Sequence, residues 1–159
     1  MGSPGIILMR SPSGYGKSTF VKNITSDIDG LTQYRIFSAD YYFTDNGIYK
    51  FDPTKLGEAH SHCLRGYLNF ISYMFHNRRH QKSFCIVDNT NINIEDIAPY
   101  FAVAQAYDLD VKIVQMPHID VEEAFRRNIH GVPLKTIQVM EQNLKRPLPK
   151  RLNECLVQL

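Results

Sequence analysis

Short apolar runs alternate with longer amphipathic stretches along this chain. Gly5-Ile-Ile-Leu-Met9 is a continuous apolar run of the kind a strand shows when both faces of a parallel sheet are covered. A loop over Ser11–Gly16 and a helical stretch from Lys17 to about Asp27 follow it. Tyr34–Ser38 predicts a second strand, stopping at Ala39-Asp40. After a loop containing Gly and Asp, Asp52-Pro53 offers an N-cap and a proline at the first helical position. Leu56, Ala59, His60, Cys63, Leu64, Tyr67, Leu68, Ile71, Met74 and Phe75 then recur at steps of three and four, predicting a long amphipathic helix with a polar exit over 76–82.

Phe84–Val87 predicts a third buried strand ending at Asp88. Ile94, Ile97, Ala98, Phe101 and Ala104 mark a helix that Pro99 weakens, and Val111–Val114 a fourth strand. Helices over about 120–129 and 134–145 close the pattern, with Gly131 and Pro133 as stop and start signals. Residues 146–159 read as a tail returning to the core. The alternation predicts an α/β fold: an open, mostly parallel sheet of four to five strands with helices on both faces. Such sheets bind ligands beyond the carboxyl ends of their strands. Three of the four predicted strand ends carry chemically capable residues, at Ser11–Thr19, Asp40 and Asp88–Asn93.

Composition narrows the classes without choosing among them. At 159 residues with 43% hydrophobic and 21% charged positions, the chain has material for one domain with a real core. No apolar run approaches the ~18 residues of a membrane span, and Met1-Gly-Ser-Pro-Gly does not resemble a signal peptide. Met1-Gly-Ser is also the kind of sequence an expression tag leaves behind. Cys63, Cys85 and Cys155 form neither a disulfide framework nor a CxxC metal pattern, which reads as a reducing, cytoplasmic setting. A net charge of +2 argues against broad coating of nucleic acid, so a polyanion would have to be held in a local groove.

Ser11-Pro-Ser-Gly-Tyr-Gly-Lys-Ser-Thr19 supplies that groove. It matches GxxxxGK[ST], the Walker A pattern, except that Ser11 replaces the first glycine. Gly14 and Gly16 let backbone N–H groups converge on a phosphate, and the helix starting at Lys17 points its positive end at the same anion. The expected nucleotide contacts are Ser13, Gly14, Tyr15, Gly16, Lys17, Ser18 and Thr19: Lys17 reaches the β- and γ-phosphates, Thr19 the α-phosphate, and the Ser18 hydroxyl holds Mg²⁺. If the first position requires positive φ, Ser11 carries roughly 1–3 kcal/mol of strain, although Pro12 biases it away from helical backbone.

Phosphoryl transfer needs a group to orient and deprotonate the acceptor hydroxyl, and Asp40, just past the second strand, is the candidate. Asp88, ending an apolar strand, is the candidate Mg²⁺ carboxylate. In Asn89-Thr-Asn-Ile-Asn93, Asn93 is a helix N-cap, while Asn89, Thr90 and Asn91 are free to bond the acceptor or Asp40. Arg126 and Arg127 either favour the helix dipole or form a lid that neutralises the transferring phosphoryl group; adjacent on a helix, they divide between phosphate and solvent. His130 reads as a polar lid residue, with the lid at about 126–133.

In this order, the strand before GxGKST, the strand before Asp40, Asp88-Asn-Thr-Asn-x-Asn-x-Glu95 and Arg126-Arg-Asn-x-His-Gly-Val-Pro133 resemble the polynucleotide-kinase-like branch of P-loop kinases over about residues 5–145. The resemblance implies ATP·Mg²⁺ as donor, Asp40 as general base on a nucleic-acid hydroxyl, DNA before RNA, and Arg126 and Arg127 over the donor phosphates. Phe43 stands where a phage relative has a substrate-binding arginine, so the acceptor hydroxyl is either a 5′ end or a hydroxymethyl group on a modified base. In the second case Tyr41, Tyr42, Phe43 and Tyr49 are candidates to stack on the base. A small-molecule or nucleoside kinase and a non-catalytic ATP-binding module are the alternatives.

Overall fold

The computed structural model describes residues 5–28, 30, 32–77 and 83–159. Met1–Gly2–Ser3 and most of the polar exit expected over 76–82 lie outside these residues. β1 (Gly5–Arg10) leads through the glycine-rich loop into α1 (Lys17–Ser26), then β2 (Gln33–Phe37). A 3-10 helix over Ala39–Phe43 joins the hairpin β3 (Thr44–Asp45) and β4 (Ile48–Tyr49). A second 3-10 turn, Pro53–Lys55, opens α2 (Leu56–His76), with the Asp52 side chain accepting from the Thr54 amide as its cap. β5 (Ser83–Val87), α3 (Ile94–Ala106), β6 (Asp110–Gln115), α4 (Val121–Arg127), α5 (Leu134–Leu144), α6 (Lys150–Asn153) and β7 (Leu156–Gln158) complete the chain.

The five long-range strands pair in the order β2-β5-β1-β6-β7, and every pairing is parallel. The two-residue period of the strands divides their side chains between two helical layers. Ile6, Leu8, Cys85, Val87, Val111 and Ile113 meet α2 and α3 on one face. Met9, Ile86 and Val114 meet Val21, Phe20 and Ile24 of α1 on the other. In α2, Ala59, Cys63, Tyr67, Ile71 and Met74 are buried, one residue per turn. This is a P-loop NTPase architecture, and it puts the carboxyl ends of β1, β2, β5 and β6 along one edge.

Three expectations change. Pro99 does not interrupt α3, which runs on to Ala106: a capping box between Asn93 and Asp96 fixes its start, and Ile97, Tyr100 and Ala104 anchor its buried face. The stretch over 146–159 does return to the core, but as regular structure: it forms α6 and contributes β7, whose Leu156 pairs beside Ile113 of β6. The loop after Asp40 contains the β3–β4 hairpin, turned by Asn46 (φ 48°) and Gly47 (φ 79°). Asn-Gly supplies the two positive φ values such a tight turn requires, a signal already present in the sequence. Among the described residues, no helix is long and apolar enough to cross a membrane.

Candidate functional site: two cavities that meet at Asp40

The glycine-rich loop closes on itself through backbone geometry. Gly14 and Gly16 both adopt left-handed backbone, with φ of 81° and 86°. At Gly14 glycine is required twice over, because a Cβ there would lie 2.0 Å from the Ala124 carbonyl oxygen of α4. A Cβ at Gly16 would meet nothing within 4 Å, so there it is the left-handed backbone that favours glycine. Ser11 is not in the positive-φ region, and the expected strain is therefore not incurred. Its amide donates to the Thr90 carbonyl at 3.0 Å, while its buried hydroxyl has no hydrogen-bond partner.

The Lys17 ammonium donates to the carbonyls of Ser11 and Pro12 at 3.0 and 2.9 Å. Burial pulls its pKa down to about 8, against the opposing pull of Asp88 and Asp40. The Ser18 hydroxyl donates to Asp88 Oδ2 at 2.8 Å, while the buried Asp88 Oδ1 has no partner. Burial raises the Asp88 carboxyl, and the Ser18 bond and Lys17 offset part of that rise. A hydroxyl and a half-satisfied carboxylate side by side are the hard oxygen donors that suit Mg²⁺.

These groups line a cleft of about 480 Å³ that also includes Ser13, Thr19, Asp40, Asn89, Thr90, Arg127 and His130. Tyr15 belongs elsewhere. Its ring is buried with Ala124 and Ile137, and its hydroxyl donates to Glu141, so only its backbone faces the loop. The two arginines separate as adjacent helical positions must: Arg127 lines the cleft and Arg126 does not. Both guanidiniums pair with Glu123 at 2.6 Å. Arg126 thus points away from the cleft, as the helical spacing expected of one of the pair, and it is not over the donor site where the family resemblance put both.

A second cavity of about 340 Å³ adjoins the first, and the two share Ser13, Asp40, Asn89, Thr90 and His130. Asp40 lies in the 3-10 helix after β2, where the Ser38 side chain caps the Asp40 amide. The Tyr49 hydroxyl donates to Asp40 Oδ1 at 3.1 Å, and His130 Nε2 of the lid lies 3.6 Å from Oδ2. Tyr49 and His130 also touch edge to face, with ring centroids 4.9 Å apart. Burial and the Asp40 charge push the Tyr49 phenol upward, keeping it a donor. Sequence reasoning placed Tyr49 among several aromatics and read His130 as a polar lid residue, with no link between either of them and Asp40. Their partnership with Asp40 arises from a hairpin and the loop between α4 and α5, which approach only in the fold.

The asparagine loop builds the site from behind. Asn89 is buried; its Oδ1 accepts from the Ala39 amide at 2.8 Å, and its amide nitrogen points to Cys63 Sγ and the Tyr100 hydroxyl. Asn91, 1% exposed, adopts φ 46° and donates to the Met9 carbonyl at 2.7 Å. Asn91 therefore lines neither cavity and is not an acceptor contact, Asn89 reaches the cavities only from a structural post, and Thr90 lines both. One short loop ties β1, the Asp40 segment and the start of α3 together. Phe43, read as a stacking residue, is buried in the core. Tyr42 lines neither cavity and donates to Glu58 on the surface. The Phe43 ring instead supports Tyr49 and Phe51, with centroids 6.3 and 5.0 Å away.

A family model described as an AAA domain matches residues 6–147. Human NEDD4-binding protein 2 is 30% identical over 151 residues, covering 89% of this chain but 8% of that protein, so the chain spans a small fraction of that relative. A chain of the Pnkp1/Rnl/Hen1 RNA repair complex superposes with a TM-score of 0.64 at 14% identity, covering 97% of this chain and 46% of that one. Kti12 of Chaetomium thermophilum, solved with ADP-AlF3, superposes at 0.58 and 14% identity over 97% of this chain and 88% of that one. At these identities the structural likeness speaks for the fold.

Proposed function

The chain belongs to the AAA domain family, as a P-loop kinase-like member, and on that premise we propose that it is an ATP-dependent kinase moving the γ-phosphate onto a hydroxyl of a nucleic acid. The observation that carries this reading is the junction of the two cavities at Asp40: one contains the glycine-rich loop, Lys17, Ser18 and Asp88, and the other, largely apolar in its lining, shares the Asp40 carboxylate with it.

In this reading the triphosphate lies in the Ser13–Thr19 nest. Its negative charge draws the Lys17 ammonium from the Ser11 and Pro12 carbonyls to the β- and γ-phosphates. Ser18 and Asp88 would hold Mg²⁺, which would supply positive charge against that of the phosphates. Asp40 accepts the proton of the acceptor hydroxyl as its oxygen forms a bond to the γ-phosphorus and the bond to the bridging oxygen of ADP breaks. Arg127, exchanging Glu123 for phosphate, meets the charge spread over the transferring group. The lid over about 126–133 and the nest would work as parts of one kinase unit spanning the chain. The asparagine-loop likeness to polynucleotide kinases, together with fold similarity to a component of an RNA repair complex, supports a nucleic acid as acceptor.

Transfer of labelled γ-phosphate to 5′-hydroxyl oligonucleotides, hydroxymethyl-base DNA and small-molecule alcohols tests the reading. Asp40→Asn is expected to lower transfer by roughly 10²–10⁴-fold while leaving ATP binding unchanged. Full transfer by that variant would remove Asp40 as base, and transfer to small alcohols alone would remove the nucleic acid.

A further inference from the structure

The acceptor cavity has a composition that narrows what can enter it. Tyr49 and Phe51 form one side, both resting on the buried Phe43 ring. Val132 and Pro133 of the lid and Met140 of α5 contribute further apolar wall. Phe51 leaves 48% of its surface exposed, an apolar ring at a cavity wall for which a planar ligand is the natural cover. Its volume of about 340 Å³ is at the small end of the ~300–1,000 Å³ of ligand cavities.

The charges point the same way. Among the described residues the cavity wall carries the Asp40 carboxylate and the imidazoles of His60 and His130 as its titratable groups besides the Tyr49 phenol. The cations of the site, Lys17 and Arg127, line the donor cleft instead. A phosphate held close to the reacting hydroxyl would lie against Asp40 and the donor's own phosphates. The wall offers it no guanidinium or ammonium group. The Tyr49 hydroxyl occupies Asp40 Oδ1, while Oδ2 is 3.6 Å from His130 Nε2, outside hydrogen-bond reach, and is left for the acceptor hydroxyl.

We propose that this cavity takes its acceptor as a terminal nucleoside, its planar, uncharged base stacked on Phe51 and Tyr49 and its sugar hydroxyl directed to Asp40, with no contribution from a phosphate beside it. The inference rests on the kinase reading above. It makes Phe51 the residue that selects the acceptor and Phe43 the post that holds Phe51 in place. A polynucleotide would enter by its end alone, its next phosphate outside the wall.

The test uses the whole chain with ATP and four acceptors: thymidine, thymidine 3′-monophosphate, a 5′-hydroxyl oligonucleotide and a sugar acid. The expected result is a kcat/KM for the nucleoside and its 3′-phosphate within fivefold of each other, with the sugar acid more than 100-fold poorer. Phe51→Ala is expected to raise the acceptor KM at least tenfold with the KM for ATP unchanged, and Phe51→Tyr to restore it. A 3′-phosphate that improves kcat/KM more than fivefold, or an unchanged acceptor KM in Phe51→Ala, overturns the inference while leaving the kinase. Saturation-transfer NMR with a non-hydrolysable ATP analogue separates the remaining case: thymidine bound but never phosphorylated removes the kinase and keeps the cavity, and thymidine neither bound nor phosphorylated removes the cavity reading.

Discussion

The donor cleft and the acceptor cavity share a wall but are assembled in opposite ways. The donor cleft takes its floor from one short stretch, Ser13–Thr19 without the Tyr15 side chain, and adds Asp88 from the end of the neighbouring strand β5, Asp40, Asn89, Thr90 and the segment 127–130. The acceptor cavity gathers Tyr49 and Phe51 around the hairpin, Leu56 and His60 from α2, His130–Pro133 from the lid, and Thr136 and Met140 from α5. A triphosphate is the same ligand everywhere, and backbone amides at fixed spacing suffice to hold it. An acceptor differs from one kinase to the next, and side chains from separate elements can be exchanged one at a time to suit it.

Substitutions on the two sides should therefore fail differently. The largest effect is expected at Gly14. Alanine there combines left-handed backbone with a Cβ 2.0 Å from the Ala124 carbonyl oxygen, costing about 2–4 kcal/mol. Calorimetry should show a melting temperature lower by roughly 10 °C, with ATP binding lost in parallel. A stable, fully binding Gly14→Ala protein would mean that the nest and α4 do not touch.

Lys17→Met should come next, weakening ATP binding about 100-fold without unfolding the chain. On the proposed reading the charged lysine holds the triphosphate, and its pKa in the empty site is about 8. Affinity should therefore be flat below pH 8 and fall as pH rises through and beyond it. Titration calorimetry from pH 6.5 to 9.5 should find that slope in the parent and a flat profile in Lys17→Met. The same depressed pKa, against the ordinary 10.5, means that the unfolded chain holds this proton between pH 8 and 10.5 while the folded one does not. On this group alone, the stability of the empty protein rises with pH across that window.

A smaller loss is expected at Asn91. Alanine removes the bond to the Met9 carbonyl and keeps the positive φ, for about 2–3 kcal/mol. Asn91→Gly removes the bond but tolerates the backbone, so denaturant titration should place it between alanine and the parent. Equal losses would mean that the left-handed geometry carries no cost. The mildest change is Tyr49→Phe, which deletes the donor to Asp40 and keeps the ring against His130. A drop in kcat of roughly 3–10-fold is expected, with KM for ATP untouched.

How much of this was legible in the sequence follows the same division. Apolar patterning located β1, β2, β5, β6 and the long helices because burial on two faces leaves an unbroken apolar run and burial on one helical face leaves a three- and four-residue step. β7 escaped it because only three residues, Leu156–Gln158, form the strand, at the sheet's edge. Pro99 was misleading because a capping box and a buried face outweigh one missing amide. The polar loop from Asn89 to Asn93 showed its chemistry but not its direction. Side-chain amides serve a buried backbone carbonyl as well as a substrate, and composition does not tell which way they point. Phe43 and Tyr42 show the same limit, for adjacent aromatics divided between core and surface.

The contact between Gly14 and Ala124 also has a mechanical meaning. Close-packed interiors transmit displacement instead of absorbing it, so a nest that widens around an incoming anion has to push α4 outward. The roof over the hydroxyl side begins at the end of that helix. Residues 127–130 line the one chamber and 130–133 the other, so any widening of the nest that displaced α4 would be felt on both sides through the thickness of a single peptide group.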